Sequence, residues 1–271
     1  MQLRNAEQRS HVVAALSPAM RTGAGPLAQL IREGGLHCVF QPLGDLRAGT
    51  VFAHEALIRG PEGSPLHRPD TLLDMARCER ILPDFELMCV YIALRDWAAL
   101  GAAGRLFVNI SADALVRGVA LCGAGKLSAT LRDFGVLPRM LVLEITEHDR
   151  VTDMVPLRQA VKAVHAAGMR LALDDFGDGR SSLRLWSEVK PDYVKIDKYF
   201  TRDLVEQPEN LQMLRAIKGI ADMFGTQLVA EGIETMAESA YLRSVGIRYQ
   251  QGYLFARPGW ESLPLSSRPA S

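Results

Sequence analysis

Met140-Leu-Val-Leu-Glu-Ile-Thr146, Arg170-Leu-Ala-Leu-Asp-Asp175 and Asp192-Tyr-Val-Lys-Ile-Asp197 follow one another along the chain, each a short apolar run that ends in ionisable or polar side chains. Runs of this length, rich in Leu, Val and Ile, are of strand size. Between the first two lies the helical pattern of Pro156–Ala167. A strand, a helix and a strand in that order make a parallel α/β unit. Working outward, further strand candidates are His37–Leu43, Val51–Ile58, Arg105–Ile110, Gln227–Ala230 and Gly246–Gln250. Helical patterns recur at Asp84–Leu100, Glu209–Phe224 and Thr235–Ser244. Eight strand runs favour a closed barrel over an open sheet. The first two are separated only by a turn around Gly44–Gly49, too short for a helical crossover, so one strand is expected to run antiparallel.

Polar residues recur at the strand ends. Glu55 sits in Phe52-Ala-His-Glu-Ala-Leu-Ile-Arg59, Asn109 closes Leu106-Phe-Val-Asn109, and Glu144 closes Leu141-Val-Leu-Glu144. Asp174 and Asp175 close the next run, Lys195 and Asp197 the one after, and Glu231 follows Leu228-Val-Ala230. One charge at a strand end is ordinarily a solvated turn residue. Six successive occurrences are harder to explain so, because the carboxyl ends of parallel barrel strands converge on one mouth. Carboxylates crowded there would take up protons unless neutralised. Their hard oxygens suit Mg²⁺ or Mn²⁺, and a two-metal site is the natural arrangement for phosphoryl chemistry. Lys195 adds a point charge for a phosphate oxygen or an attacking water. Arg59 shares a strand face with Glu55 and can fork onto a phosphate.

Composition bounds the rest. The chain has 271 residues, with 31 basic and 31 acidic side chains. That balance argues against a polymeric nucleic-acid partner but allows a small anion in a local pocket. Cys38, Cys78, Cys89 and Cys122 form no C-x-x-C pair, which argues against structural zinc and suggests a reducing, cytoplasmic setting. No apolar run is long enough to span a membrane. The stretch His11–Met20 is broken by Pro18 and lacks a clear cleavage site, so it is not read as a signal peptide. Residues 1–35 read as a leader or linker, 36–263 as the barrel, and 264–271, rich in Ser and Pro, as a disordered tail.

Other motifs fail. Gly123-Ala-Gly-Lys126 lacks the earlier glycine and the following Ser/Thr of a P-loop, His54-Glu55 has no second histidine four residues on, and Phe176 stands where a calcium loop needs Asp or Asn. The stripe Leu87, Met88, Tyr91 and Leu94 reads as core, and His148 as a solvated loop residue.

Eight stretches together resemble the EAL-domain family of cyclic di-GMP phosphodiesterases. They are Phe40-Gln-Pro42, Glu55-Ala-Leu-Ile-Arg59, Val108-Asn-Ile-Ser111, Leu143-Glu-Ile-Thr-Glu147, Asp174-Asp-Phe-Gly177, Val194-Lys-Ile-Asp197, Ala230-Glu-Gly-Ile-Glu-Thr235 and Gln251-Gly-Tyr-Leu-Phe255. The resemblance implies a modified TIM-type (β/α)8 barrel of the α/β class with one antiparallel strand. It implies Glu55, Asn109, Glu144 and Asp174 as ligands of a first metal, and Asp175 with Asp174 as the second-metal site. Lys195 resembles the lysine at the nucleophilic water, Glu231 a glutamate proposed as general base, and Glu147 the glutamate that steadies the loop after Asp175. Gln41, Arg59 and Gln251 resemble substrate contacts. The implied reaction is attack of a metal-activated water on cyclic di-GMP to give linear 5′-pGpG, in a homodimer. The alternative is an EAL domain that has lost turnover and acts as a cyclic di-GMP sensor or protein-interaction module.

Two departures stand out. Asp178 and Arg180 replace the family's usual Thr or Ser and aromatic in the loop after Asp175, which puts loop stability and turnover in question. The usual acidic pair after the first helix reads Ala76-Arg-Cys-Glu79, a region expected to be peripheral.

Overall fold

The computed structural model describes residues 20, 22–101, 104–146, 153–177, 183–202, 204 and 208–259. Glu147, His148, Asp178, Arg180 and the expected tail 264–271 lie outside the described residues.

Eight strands close into one barrel in chain order. They are β1 (His37–Asp45), β2 (Thr50–Arg59), β3 (Arg105–Ile110), β4 (Leu141–Thr146), β5 (Arg170–Phe176), β6 (Tyr193–Ile196), β7 (Gln227–Ala230) and β8 (Tyr249–Gln251). The six contacts from β2 to β8 are parallel, while β1 is antiparallel to both its neighbours, β2 and β8. The expected barrel and its reversed strand are therefore both present. The reversal follows from the short β1–β2 turn. Asp45 accepts the Arg47 and Ala48 N–H at 3.0 and 3.1 Å and so folds the chain straight back.

Helices wrap the outside. The first, α1 (Pro26–Glu33), begins with Pro at its first turn and ends on Gly34 at φ 77°, the left-handed stop that glycine takes without strain. Its apolar stripe of Leu27, Ala28 and Ile31 is buried. The carboxylate of Glu79 caps it from a distance, accepting the Leu27 and Ala28 N–H at 2.8 and 3.1 Å. Glu79 thus ties α1 to the end of α2 (Pro69–Cys78), a structural role that sequence reasoning did not give it. Next come α3 (Leu82–Ala99), α4 (Ala112–Cys122), α5 (Leu127–Asp133), α6 (Met154–Ala166), α7 (Leu183–Val189), α8 (Lys198–Thr201), α9 (Pro208–Phe224) and α10 (Met236–Ser244). Ser111 caps α4 by accepting the Ala114 N–H, and Thr235 with Glu238 forms a capping box on α10. Among the described residues no single helix is long and apolar enough to cross a membrane. All four cysteines are free.

The larger core lies between barrel and helices, around Phe40, Phe85, Trp97, Leu106 and Trp186. A smaller one plugs the barrel itself. Leu43, Ala53, Phe107, Val142, Ala172, Tyr193, Val229 and Tyr249 are buried there, one from each strand, with Phe52 packed against them. Phe52 stacks on Tyr249 at 4.0 Å and meets Tyr193 and Phe107 at 5.7 and 6.3 Å.

Candidate active site

Side chains alternate faces along a strand, so the residue two positions past each plug residue also points into the barrel. Those residues are Glu55, Asn109, Glu144, Asp174, Lys195, Glu231 and Gln251. On the reversed β1, Gln41 precedes Leu43 by the same step. Every one of these eight is a sequence-predicted site residue, and together they form the polar layer above the apolar plug.

Lys195 is the centre of that layer. Its Nζ lies 2.7 Å from Glu231 Oε1, 3.1 Å from Asp174 Oδ1, and 3.3 Å from both Glu55 Oε2 and Glu144 Oε1. The side chain is 1% exposed, and Glu144 is fully covered. Around them the amides lock orientation. Asn109 Nδ2 donates to Glu55 Oε1 at 2.9 Å, which leaves the Asn109 side-chain oxygen as a donor atom for a cation. Gln251 Nε2 donates to Glu55 Oε2 at 2.6 Å and to Gln41 Oε1 at 3.2 Å, while Gln41 Nε2 reaches the Ala256 carbonyl at 3.2 Å.

Asp175 enters by a different route. A neighbour of Asp174 on a regular strand would point away from the mouth. Instead Asp175 has φ 54°, and the β5–β6 register slips between Leu173 and Phe176. This left-handed step, costly for a residue with a Cβ, keeps both carboxylates at the opening. Oxygens of Asp174, Asp175 and Glu231 come within 4.8 Å of one another, as do those of Glu55, Glu144 and Asp174.

The electrostatics of the layer are unbalanced. Glu55, Glu144, Asp174, Asp175 and Glu231 against one ammonium leave a formal charge of −5 + 1 = −4. Burial raises the Glu144 carboxyl well above its ordinary value, with Lys195 opposing and the other acids reinforcing the shift. Burial likewise lifts Glu231 to about 8, against the pull of Lys195. Burial also works against ionised Glu55, but Lys195 and the Gln251 and Asn109 amides bring it below the ordinary range. Lys195 stays charged: burial lowers its affinity for the proton, and four carboxylates more than reverse that. Glu144 Oε1 and Asp174 Oδ1 are buried beside the shared Lys195 ammonium but make no hydrogen bond of their own. Such under-satisfied oxygens in a cluster of −4 fit a pair of divalent cations, whose charge would cancel it.

Above the layer opens a cavity of about 330 Å³ lined by Gln41, Glu55, Leu57, Asp175, Glu231 and Gln251, with Lys198, Arg202, Glu234 and Tyr253 at its rim. Gly252 closes one wall. A Cβ there would lie 2.1 Å from the Ile233 carbonyl oxygen, so only glycine lets the β8 end pass that loop. Arg59 is not in the lining. Its guanidinium turns back to the Ile58 carbonyl at 2.8 Å, although it shares the Glu55 face. Asp197 accepts the Tyr199 N–H at 2.8 Å and caps α8, so its hydrogen bond goes to backbone rather than to a basic side chain. Sequence reasoning did not single out Lys198 or Arg202. The available signal was their position at the two ends of the short segment that follows Lys195, at the start and just past the end of α8.

This barrel has counterparts among known proteins. The EAL domain family matches residues 25–258, and the chain belongs to that family. It is 39% identical over 233 residues to PdeD of Escherichia coli, named a probable cyclic di-GMP phosphodiesterase, covering 84% of this chain and 42% of that protein. It is 30% identical over 249 residues to the cyclic di-GMP phosphodiesterase NbdA of Pseudomonas aeruginosa, covering 89% of this chain and 30% of that one. Among solved structures, the manganese and cyclic di-GMP complex of Klebsiella pneumoniae BlrP1 superposes with a TM-score of 0.74 at 30% identity, over 83% of this chain and 56% of BlrP1. BlrP1 has also been solved with calcium and cyclic di-GMP, at the same TM-score and identity. The chain spans well under half the length of the curated relatives, for example 37% and 39%.

Proposed function

We propose that this chain hydrolyses one phosphodiester of cyclic di-GMP to linear 5′-pGpG, as a metal-dependent phosphodiesterase. The observation that carries the reading is the polar layer itself: four carboxylates within 3.3 Å of one buried ammonium, in a family whose relatives are named for this activity.

Glu55, Asn109, Glu144 and Asp174 would hold one divalent cation, and Asp174 with Asp175 a second, Mg²⁺ or Mn²⁺. Bound there, such ions lower the pKa of water and stabilise charge on the attacking and leaving oxygens. The remaining chemistry belongs to the chain. Lys195 Nζ holds the attacking water in place and lowers the proton affinity of the acids around it, against the effect of burial. Glu231 Oε1, in its ionised form, takes the water proton as the new P–O bond forms, and the P–O3′ bond breaks as its oxygen takes a proton from solvent. Gln41 and Gln251 position the substrate against the mouth. Arg59 would have to leave the Ile58 carbonyl to reach a phosphate. The family resemblance assigns Glu147 to anchoring the loop after Asp175, and supports a homodimer working in the cytoplasm.

The test is direct. Purified protein incubated with cyclic di-GMP and Mg²⁺ or Mn²⁺ should yield pGpG, and Lys195→Ala should lose turnover while still binding the dinucleotide. Tight binding by the wild type with no product under either metal would reassign the chain as a sensor.

A further inference from the structure

Outside the barrel, between β1 with its turn into β2 and α10, two cavities meet. One, of about 330 Å³, is lined by apolar groups, chiefly Pro42, Leu46, Val51, Met236, Leu254 and Phe255. The other, of about 400 Å³, is lined by Arg47, Lys218, Arg243 and Arg248 with Asp222. Leu46 and Arg243 belong to both linings, so the two are adjoining chambers with one shared wall.

Charge in the basic chamber does not cancel. Asp222 is taken by Lys218 at 2.5 Å, and Asp45 by a two-pronged contact from Arg248. Two cations, Arg47 and Arg243, have no carboxylate partner among the described residues. Nor is the chamber a loose surface. Asp45 pins the Arg47 turn through two backbone N–H groups and is itself fixed by Arg248. In the apolar chamber, the Phe255 ring lies against Gly44, where an added Cβ would sit 3.3 Å from it.

We propose that this pair of cavities is a second binding site, for a small amphiphile with one phosphate or carboxylate head and an apolar tail. The head would be held by Arg243 and Arg47, whose guanidinium forks match such anions. The tail would occupy the chamber between Leu46, Met236 and Phe255. Each chamber falls within the range of roughly 300–1,000 Å³ in which small molecules are held. The arrangement shares no residue with the polar layer of the mouth, so the site stands whether or not the chain turns over cyclic di-GMP.

The test is calorimetric titration of the full chain with decyl phosphate below its micelle concentration, beside inorganic phosphate and GMP. Decyl phosphate should bind at least tenfold more tightly than inorganic phosphate. Arg243→Ala should weaken it at least tenfold. Ala240→Trp, placed on an exposed position of α10 in the apolar wall, should reduce decyl phosphate to the affinity of inorganic phosphate. Arg47→Ala, on an exposed turn, repeats the head test should Arg243→Ala melt early. Equal affinity for decyl and inorganic phosphate would overturn the proposal. So would unchanged binding in all three variants, or GMP binding that Arg243→Ala removes.

Discussion

Two layers of the barrel interior are built from the same strands and differ in everything else. The plug is Ala53, Phe107, Val142, Ala172, Tyr193 and Val229; two residues further on stand Glu55, Asn109, Glu144, Asp174, Lys195 and Glu231. The separation is one pleat repeat, roughly 7 Å. The lower layer is apolar and close-packed. The upper, with Asp175 at its opening, carries a formal charge of −4 and two buried oxygens that share one ammonium and make no hydrogen bond of their own. The plug excludes water from below and holds the strand ends in register. Unfavourable chemistry is thus concentrated where a ligand can relieve it, and stability comes from the layer beneath.

That division is open to breaking from either side, and the largest expected effect is on the upper layer. Glu144→Ala should lower turnover of cyclic di-GMP by ~10³-fold, because it removes a cation ligand from the centre of the charge that must be neutralised. It should not lower the melting temperature of the metal-free protein, since it also removes a fully buried carboxylate that must share one ammonium with three other acids. A Glu144→Ala protein that melts early in EDTA would mean that the polar layer carries stability after all.

The lower layer should answer in reverse. Phe107→Ala empties the middle of the plug and should cost about 3–5 kcal/mol of unfolding free energy. Turnover per folded molecule, measured well below the melting temperature, should stay within about twofold. A large loss of turnover at unchanged stability would show that the plug shapes the site rather than merely supporting it.

Most of this was legible in the sequence for a simple reason. A strand of this barrel is short, so its plug residue and its site residue fall in one run, as in Phe107-Val-Asn109 or Tyr193-Val-Lys195. An apolar run that ends in a charge therefore encodes both layers at once. The short β1–β2 turn encoded the reversed strand in the same local way. Long-range facts were not written so. The capping of α1 by Glu79 spans 52 residues and leaves no local pattern. The left-handed step at Asp175 is invisible because Asp-Asp reads as an ordinary strand end. Arg59 shares the Glu55 face by periodicity, yet its long side chain bends back to Ile58, a choice that periodicity cannot make.

A smaller effect sharpens the contrast through the ligand. Mg²⁺ or Mn²⁺ that binds the folded layer and not the unfolded chain should stabilise the protein by about 2.7 kcal/mol at a hundredfold excess over its dissociation constant. Glu144→Ala should lose most of that gain, whereas Phe107→Ala should keep it on its lower baseline. A melting series with and without metal reads both. Equal metal stabilisation in wild type and Glu144→Ala would place the cations elsewhere.

The smallest effect lies where Asp45 and Arg248 join β1 to β8. Burial alone would raise the Asp45 carboxyl. The Arg248 guanidinium and the Ala48 and Arg47 N–H groups offset this, and its pKa lies below the ordinary value. A carboxyl that ionises more readily when folded contributes its stability fully above the unfolded value of about 3.9. It loses that contribution as pH falls through the folded value. Asp45 is 6% exposed in its side chain but Arg248 is 41% exposed, so solvent screens the pair and about 1 kcal/mol is the appropriate scale. Asp45→Asn isolates the charge, because the amide oxygen can still accept the two N–H groups of the turn. The gap between wild type and variant should be constant from about pH 5 to 7 and should close below about pH 4. A gap that persisted in acid would assign the loss to the turn hydrogen bonds rather than to the ion pair.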